Sequence, residues 1–210
     1  KNGCKEITLL GQNVNSYRDK KIGFPQLLKK VDSIPGHFWL RFLTSHPKDM
    51  NDELIKTITK SKKICEYVPL PIQAGDDEIL RKMNRKYTFK HYLSLIKKIN
   101  AAFKKHKPTT YYSISTDIIV GFPEETRNQF AKSADIIKKI GFDMVYIGQY
   151  SPRIGTAASK MKDGVTKNEK TRRKKYLDKI LKKTAFTKNK RYLGSIQEIL
   201  VEREKNGFYF

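Results

Sequence analysis

The chain contains few cysteines and histidines, and this shortage excludes several kinds of site. Its 210 residues include two cysteines, Cys4 and Cys65, which stand too far apart to form a CxxC motif or a disulfide framework. The four histidines show neither HxxxH nor HExxH spacing, and no GxSxG sequence is present. We therefore expect no metal ion held by the protein's own side chains and no serine nucleophile of the hydrolase type.

The sequence also lacks a long apolar run. No stretch approaches the roughly 20 apolar residues that cross a bilayer, and the first residues do not resemble a signal peptide. Hydrophobic residues make up 38% of the chain, which is enough for a sizeable core. We expect a soluble, cytoplasmic monomer that does not bind a membrane.

Acidic residues are scarce relative to basic ones. Lysine and arginine number 44 against 21 aspartates and glutamates, so the formal net charge is +23. This charge favours a polyanionic partner such as nucleic acid, although a coding bias toward A and T would produce the same excess of lysine. The charge is concentrated between residues 160 and 192, where 14 basic residues stand against three acidic ones.

Apolar, β-rich stretches alternate with helical patterns along most of the chain, which predicts an α/β fold with a parallel sheet. Five strands are too few to close a barrel, so the sheet is either open and doubly wound or the arc of a partial (β/α) barrel. A basic helix is predicted over 168–191. Thr126 with Gln129 predicts the capping box of an earlier helix that ends at Gly141, and Asp76 is predicted to begin a short extra helix. The predicted strands are Glu6–Leu10, Phe38–Leu43, Tyr67–Ile72, Tyr112–Val120 and Met144–Tyr150.

The sequence changes character after the basic helix. Residues 195–201 form a strand pattern, and residues 207–210 begin a second strand. A ribbon this short is marginal in water by itself. We therefore divide the chain into a barrel domain, 1–192, and the beginning of a small β domain, 193–210, and expect both to be cut from a longer protein.

Polar residues follow the predicted strands at the carboxyl edge of the sheet, where α/β proteins bind their ligands. Gln73 ends the third strand. Asp117 lies among Ile and Val residues within the fourth, where a carboxylate needs either structural donors or a ligand's hydroxyl and amine groups. Gly121 lets the backbone approach a ligand closely. An adenosine-type ligand across these two strand ends fits the pattern.

Several segments, in order along nearly the whole chain, carry a resemblance to a known family. They are Leu9–Tyr17, Leu70–Gln73, Met83–Thr88, Ser115–Thr126 and Tyr150–Ala158. Together they resemble the MiaB-type tRNA methylthiotransferases, which are radical S-adenosylmethionine (SAM) enzymes. The resemblance implies a partial barrel of the radical SAM type, truncated at its N-terminal strand and followed by the start of an RNA-binding TRAM-like domain. It also implies conversion of isopentenylated adenosine beside the anticodon to its 2-methylthio form, with SAM and 4Fe-4S clusters as cofactors and tRNA as partner.

The same resemblance implies roles for individual residues, although it assigns no catalytic one. The implied SAM pocket comprises Gln12, Gln73, Asp117, Gly121, Phe122 and Glu125. The implied substrate mouth comprises Asn13, Ser151 and Arg153. The implied contacts with tRNA phosphates are Arg172, Arg173, Lys174 and Lys175. This chain departs from the family at Glu124, where glycine is usual.

The family's C-x3-C-x2-C cluster motif is absent, and neither Cys4 nor Cys65 can replace it. Because reductive cleavage of SAM needs a cluster held by thiolates, we expect this chain alone to be inactive and to bind SAM weakly. Three alternatives stay open at this point. They are a ribosomal-protein methylthiotransferase of the same superfamily, a non-catalytic RNA-binding module, and an unrelated sugar-phosphate barrel enzyme.

Overall fold

The computed structural model describes residues 3–209, which form nine strands and six α-helices. The strands are β1 (Glu6–Leu9), β2 (Arg18–Asp19), β3 (Ile22–Gly23), β4 (Trp39–Phe42), β5 (Tyr67–Pro69), β6 (Ser113–Val120), β7 (Met144–Gln149), β8 (Glu204–Lys205) and β9 (Phe208–Tyr209). The helices are α1 (Phe24–Asp32), α2 (Asp52–Lys60), α3 (Asp77–Lys82), α4 (Phe89–His106), α5 (Arg127–Ile140) and α6 (Lys167–Asn189). No helix in this range is long and apolar enough to span a membrane.

Five parallel strands follow one another in chain order. β1 pairs with β4, a bridge from Leu40 to Ile64 joins β4 to the segment that leads into β5, and β5, β6 and β7 pair in sequence. In a doubly wound sheet, the spatial order of the strands reverses direction at the centre of the sheet. In a barrel, each strand lies next to the one before it in the sequence. The strand order therefore confirms the α/β prediction and selects the arc of a partial (β/α) barrel.

The two faces of the arc differ in polarity because side chains alternate along a strand. On the outer face, Leu40 and Ile118 are fully buried beneath the helices. On the inner face, Arg41 forms an ion pair with Glu6, with 2.8 Å between Nε and Oε2, and Asp117 is half-buried. The inner face is thus polar and open.

Local sequence signals set the helix ends as predicted. Thr126 and Gln129 form the capping box of α5, and Gly141 ends that helix in the left-handed conformation at φ 65°. The Asp76 carboxylate accepts hydrogen bonds from the Glu78 and Ile79 amides at the start of α3. These contacts span a few residues, which is why sequence alone could predict them.

Helix α6 begins one residue before its predicted start and packs against α5 and β7. Its apolar residue Leu177 is completely buried. At its carboxyl end, Lys188 and the adjoining Arg191 both bind the Asp143 carboxylate, at 2.6 and 3.0 Å. The basic helix is therefore attached to the barrel and is not a freely projecting arm.

The predicted strand over 195–201 is wrong. These residues are irregular in the structure, and Ile196 and Ile199 are largely exposed. A strand needs a partner for its backbone groups, and no part of residues 3–209 pairs with this segment. Instead, β8 and β9 form a short antiparallel hairpin around Gly207. The expected second strand is present as β9, while Phe210 lies outside the described residues, and the domain division at 192 stays a prediction.

Candidate functional site

A cavity of about 600 Å³ lies at the carboxyl ends of β5, β6 and β7. Four of the predicted site residues line it: Gln73 after β5, Phe122 after β6, and Ser151 and Arg153 after β7. Parallel strands bring their carboxyl ends to one edge, so these residues from three separate segments meet. The volume falls within the range of roughly 300–1,000 Å³ that is usual for small-molecule sites.

Gln73 adopts a strained backbone conformation at the end of β5. Its φ of 75° lies in the left-handed region, which residues other than glycine rarely occupy. Two hydrogen bonds to β6 hold it there: its N–H donates to the Asp117 carbonyl at 2.8 Å, and its carbonyl accepts from the Ile119 N–H at 2.9 Å. Strain maintained by surrounding contacts is common at binding sites.

Asp117 is a half-buried carboxylate without a hydrogen bond among the described residues. Burial raises its pKa because the charged form loses solvation, and the nearby Arg85 guanidinium opposes that shift. A carboxylate in this state is a candidate for binding a ligand's donors.

Arg85 was not among the predicted site residues, although it lies within one of the resembling segments. It follows Asn84, whose φ of 57° is also left-handed, and both residues line the cavity. Burial lowers the pKa of His46, and the charge of Arg85 adds to that shift. Arg85 therefore acts electrostatically on Asp117 of β6 and on His46 of the loop after β4, a convergence that sequence spacing does not reveal.

The loop after β6 is held by α6 through four residues that we call the loop clamp: Gly121, Glu125, Lys170 and Arg173. The Glu125 carboxylate accepts from the Gly121 N–H and from Arg173 Nη1, both at 2.7 Å. Glu125 and Arg173 are each 3% exposed. Gly121 has φ 70°, and a Cβ there would overlap the aliphatic chain of Lys170. Glycine is thus required both for conformation and for the close approach of the helix.

The loop clamp contradicts one of the predicted contacts, that of Arg173 with RNA. Arg173 was expected to bind RNA, but its guanidinium is buried against Glu125 and Glu169 and cannot reach a solvent-exposed phosphate. Glu125 and Gly121 bind each other, and Glu125 also binds Arg173 of α6; their contact with the cofactor stays a prediction. The spacing of Lys170, Arg173 and Leu177 could have predicted this, because positions i, i+3 and i+7 share one helix face.

The predicted positions Gln12, Asn13, Arg172, Lys174 and Lys175 lie outside the cavity. Gln12 and Asn13 are exposed beyond β1, at the opposite end of the arc from β7, and do not line the cavity. Lys174 is half-buried, and Lys175 is exposed on α6. Arg172 is exposed and pairs with Glu169 at 2.6 Å. The two groups of candidate residues therefore lie on separate parts of the structure.

Glu124 occupies the position where the resembling family usually has glycine. Its φ of 64° is left-handed, which explains why glycine suits this turn. Its carboxylate pairs with Lys82 at 2.7 Å across the rim of the cavity. The glutamate at this position therefore pairs with the positive charge of Lys82, which a glycine would not do.

The described residues do not fit an iron–sulfur cluster. Residues 3–209 contain no group of three or more His, Cys, Asp or Glu side chains that could hold a metal ion. Cys4 precedes β1 and Cys65 precedes β5, so both lie at the amino edge of the arc, away from the cavity. Burial raises the pKa of the Cys65 thiol, which disfavours the thiolate that cluster ligation requires.

The parallel arc with its cavity at the carboxyl edge is the architecture of a (β/α) barrel enzyme. Residues 1–137 match the Radical SAM superfamily, and the chain belongs to that superfamily. A solved structure with a similar fold is coproporphyrinogen III oxidase from Escherichia coli, described as a radical SAM enzyme. The TM-score is 0.51 at 15% identity, over 79% of this chain and 36% of that one. This likeness supports the fold alone.

The resemblance to tRNA methylthiotransferases is confirmed by similar proteins. The chain is 44% identical to the tRNA-2-methylthio-N(6)-dimethylallyladenosine synthase of Thermodesulfovibrio yellowstonii, over 98% of this chain and 47% of that protein. It is 44% identical to the same-named protein of Endomicrobium trichonymphae, over 99% and 48%. It is 46% identical to that of Caldicellulosiruptor saccharolyticus, over 96% and 42%. The chain spans about half the length of these curated relatives.

Proposed function

We propose that this chain provides the cofactor-binding arc and an RNA-binding helix of an enzyme that methylthiolates dimethylallyladenosine in tRNA. The observation that carries the proposal is the 44–46% identity, across nearly the whole chain, to relatives named for that reaction. Membership of the radical SAM superfamily supports SAM as cofactor.

Gln73, Asp117 and Phe122 are the residues that would contact SAM. Asp117 has no hydrogen-bond partner in residues 3–209, so its carboxylate is free to accept from the ligand's hydroxyl or amine groups. The Gln73 amide and the Phe122 ring line the adjoining cavity. Gly121 and Glu125 would act indirectly by orienting the loop that carries Phe122. When bound, SAM supplies the radical source and the methyl group.

No step of this proposal passes through an iron–sulfur cluster. The two cysteines do not supply a ligand set, so we expect these 210 residues by themselves to bind ligands without turnover.

The exposed cations of α6 would contact the tRNA backbone. Arg172, Lys175 and Lys179 are exposed, and Lys174 is partly so. Phosphate contacts of this kind give affinity that falls with salt and carries no sequence preference.

Binding of tRNA to the 210-residue protein tests the proposal. Anisotropy titrations should show weaker binding for Lys174→Ala/Lys175→Ala than for the parent, with a shallower dependence on salt. The matched control is Lys104→Ala/Lys105→Ala, which removes the same charge from exposed positions on α4. An equal loss in both variants would mean that net charge, not α6, attracts the RNA.

Equilibrium dialysis with labelled SAM tests the cofactor half separately. Asp117→Asn should lower the binding measured for the parent, because the amide cannot replace a carboxylate that accepts from two donors. Unchanged binding would remove Asp117 from the site.

A further inference from the structure

Two residues that line the cavity each have a buried polar side-chain atom without a hydrogen-bond partner in residues 3–209. Within the described residues, three buried side-chain atoms are unpartnered: Arg85 Nε, Tyr150 Oη and Arg191 Nε. Arg85 and Tyr150 both line the cavity. Buried donors are almost always satisfied in folded proteins, so two orphans beside one cavity indicate a ligand that offers acceptors.

The cavity also carries positive charge that no protein carboxylate neutralises at close range. Neither Arg85 nor Arg153 has an ion-pair partner within 4.0 Å in residues 3–209, although Asp117 acts on Arg85 from a greater distance. Lys82, the third cation, is already paired with Glu78 and Glu124. Two unpaired guanidinium groups form forked donors that match the oxygens of a phosphate.

The position of Tyr150 is set by its neighbours rather than by its hydroxyl. Its ring packs edge-on against Phe122 with centroids 5.2 Å apart, and the Lys170 ammonium lies 5.2 Å from the ring centroid. Its backbone N–H bonds to the Val120 carbonyl at 2.9 Å. Packing thus fixes the Tyr150 ring beside the cavity, while its buried hydroxyl has no hydrogen-bond partner in residues 3–209.

We propose that Arg85, Tyr150 and Arg153 bind a phosphate group of the RNA, adjacent to the adenosine that enters the cavity. This rests on the proposed function and deepens it, by naming the group of the substrate that the cavity recognises. A free nucleotide would offer the same phosphate chemistry, so the test separates the two sources.

Calorimetric titrations of the 210-residue protein with adenosine, 5′-AMP and the dinucleotide ApA test the assignment. A phosphate bound by two guanidinium groups should improve affinity over adenosine by about tenfold or more. Equal affinity for adenosine, 5′-AMP and ApA would overturn the proposal. Improved binding of ApA identifies RNA as the source, whereas improved binding of 5′-AMP alone rejects RNA in favour of a free nucleotide.

Arg85→Gln should remove most of this phosphate advantage, and Arg81→Gln, at an exposed position near the end of α3, should leave it intact. Arg85 is partly buried, so its replacement could also disturb folding. Two milder variants are therefore tested as well: Arg153→Gln changes an exposed residue, and Tyr150→Phe removes only a hydroxyl group. If all three variants keep the advantage, the site is wrong.

Titration with SAM separates this proposal from the proposed function. If Arg85→Gln weakens SAM binding but leaves 5′-AMP binding unchanged, the arginine binds the cofactor's carboxylate and the phosphate assignment fails. If Asp117→Asn leaves SAM binding unchanged while 5′-AMP keeps its advantage, Asp117 is removed from the cofactor site and the phosphate site stands.

Discussion

Replacing Arg173 with methionine should destabilise the protein far more than the same change at its neighbour Arg172. Arg173 is 3% exposed and satisfies the buried Glu125 carboxylate at 2.7 Å. Removing one partner leaves an uncompensated buried charge, which costs about 3–5 kcal/mol. Arg172 binds Glu169 with 59% of its own side chain exposed, so solvent screens this ion pair and its loss should change stability little.

Urea unfolding at pH 7, followed by circular dichroism, measures both changes. The two arginines are adjacent on α6, carry the same charge and share Glu169, so the comparison isolates burial. The double variant Glu125→Gln/Arg173→Met should be less destabilised than the sum of its single variants, because it removes the unpaired charge. If Arg173→Met and Arg172→Met lower the free energy of unfolding by amounts that agree within about 0.5 kcal/mol, the reasoning is refuted.

Three further predictions concern the glycine turn and the carboxylates. Gly121→Ala should lower the free energy of unfolding by about 1–3 kcal/mol more than Gly141→Ala does. Both glycines have positive φ, but only at Gly121 would a Cβ overlap another side chain, that of Lys170. Thermal unfolding of the two variants measures the difference. Asp117→Asn should raise stability at pH 7 by about 1 kcal/mol. Burial raises the pKa of Asp117, so the parent loses stability as pH rises through that pKa, whereas the asparagine variant does not titrate there. The stabilities of the two proteins should therefore converge below pH 4. A difference in stability that persists below pH 4 would contradict this cause. The Arg172 and Arg173 guanidinium groups lower the pKa of Glu169 to about 2, so its contribution is present above pH 4.5 and is lost as pH falls toward 2. Urea midpoints over that range should fall less steeply for Glu169→Gln than for the parent, and equal slopes would show that this carboxylate is not responsible.

Sequence reasoning succeeded where a signal is contained within a few residues. The capping box of Thr126 and Gln129 and the glycine C-cap at Gly141 depend on backbone groups one helical turn away. Strand positions followed from apolar, β-rich segments, because the outer face of each parallel strand is buried beneath the helices. The segment over 195–201 has the same composition but no partner strand in the described residues, which is why the same reasoning failed there.

The candidate site was predicted in part. Gln73, Phe122, Ser151 and Arg153 meet at one cavity because strand ends converge in this architecture. Arg85 and Tyr150 were missed because they carry no local pattern, and they matter through which atoms remain unpartnered after folding. That property exists only when all neighbours are in position.

By itself, the sequence determined the α/β alternation, the helix boundaries, the net positive charge and the family. Only the tertiary structure decided which charges are available for binding. Arg172 and Arg173 are equivalent in sequence, yet one faces solvent and the other binds a carboxylate 48 residues away. The physical reason is that helix formation uses contacts within one turn, whereas ion pairing and burial depend on which distant segment packs against each face of that helix.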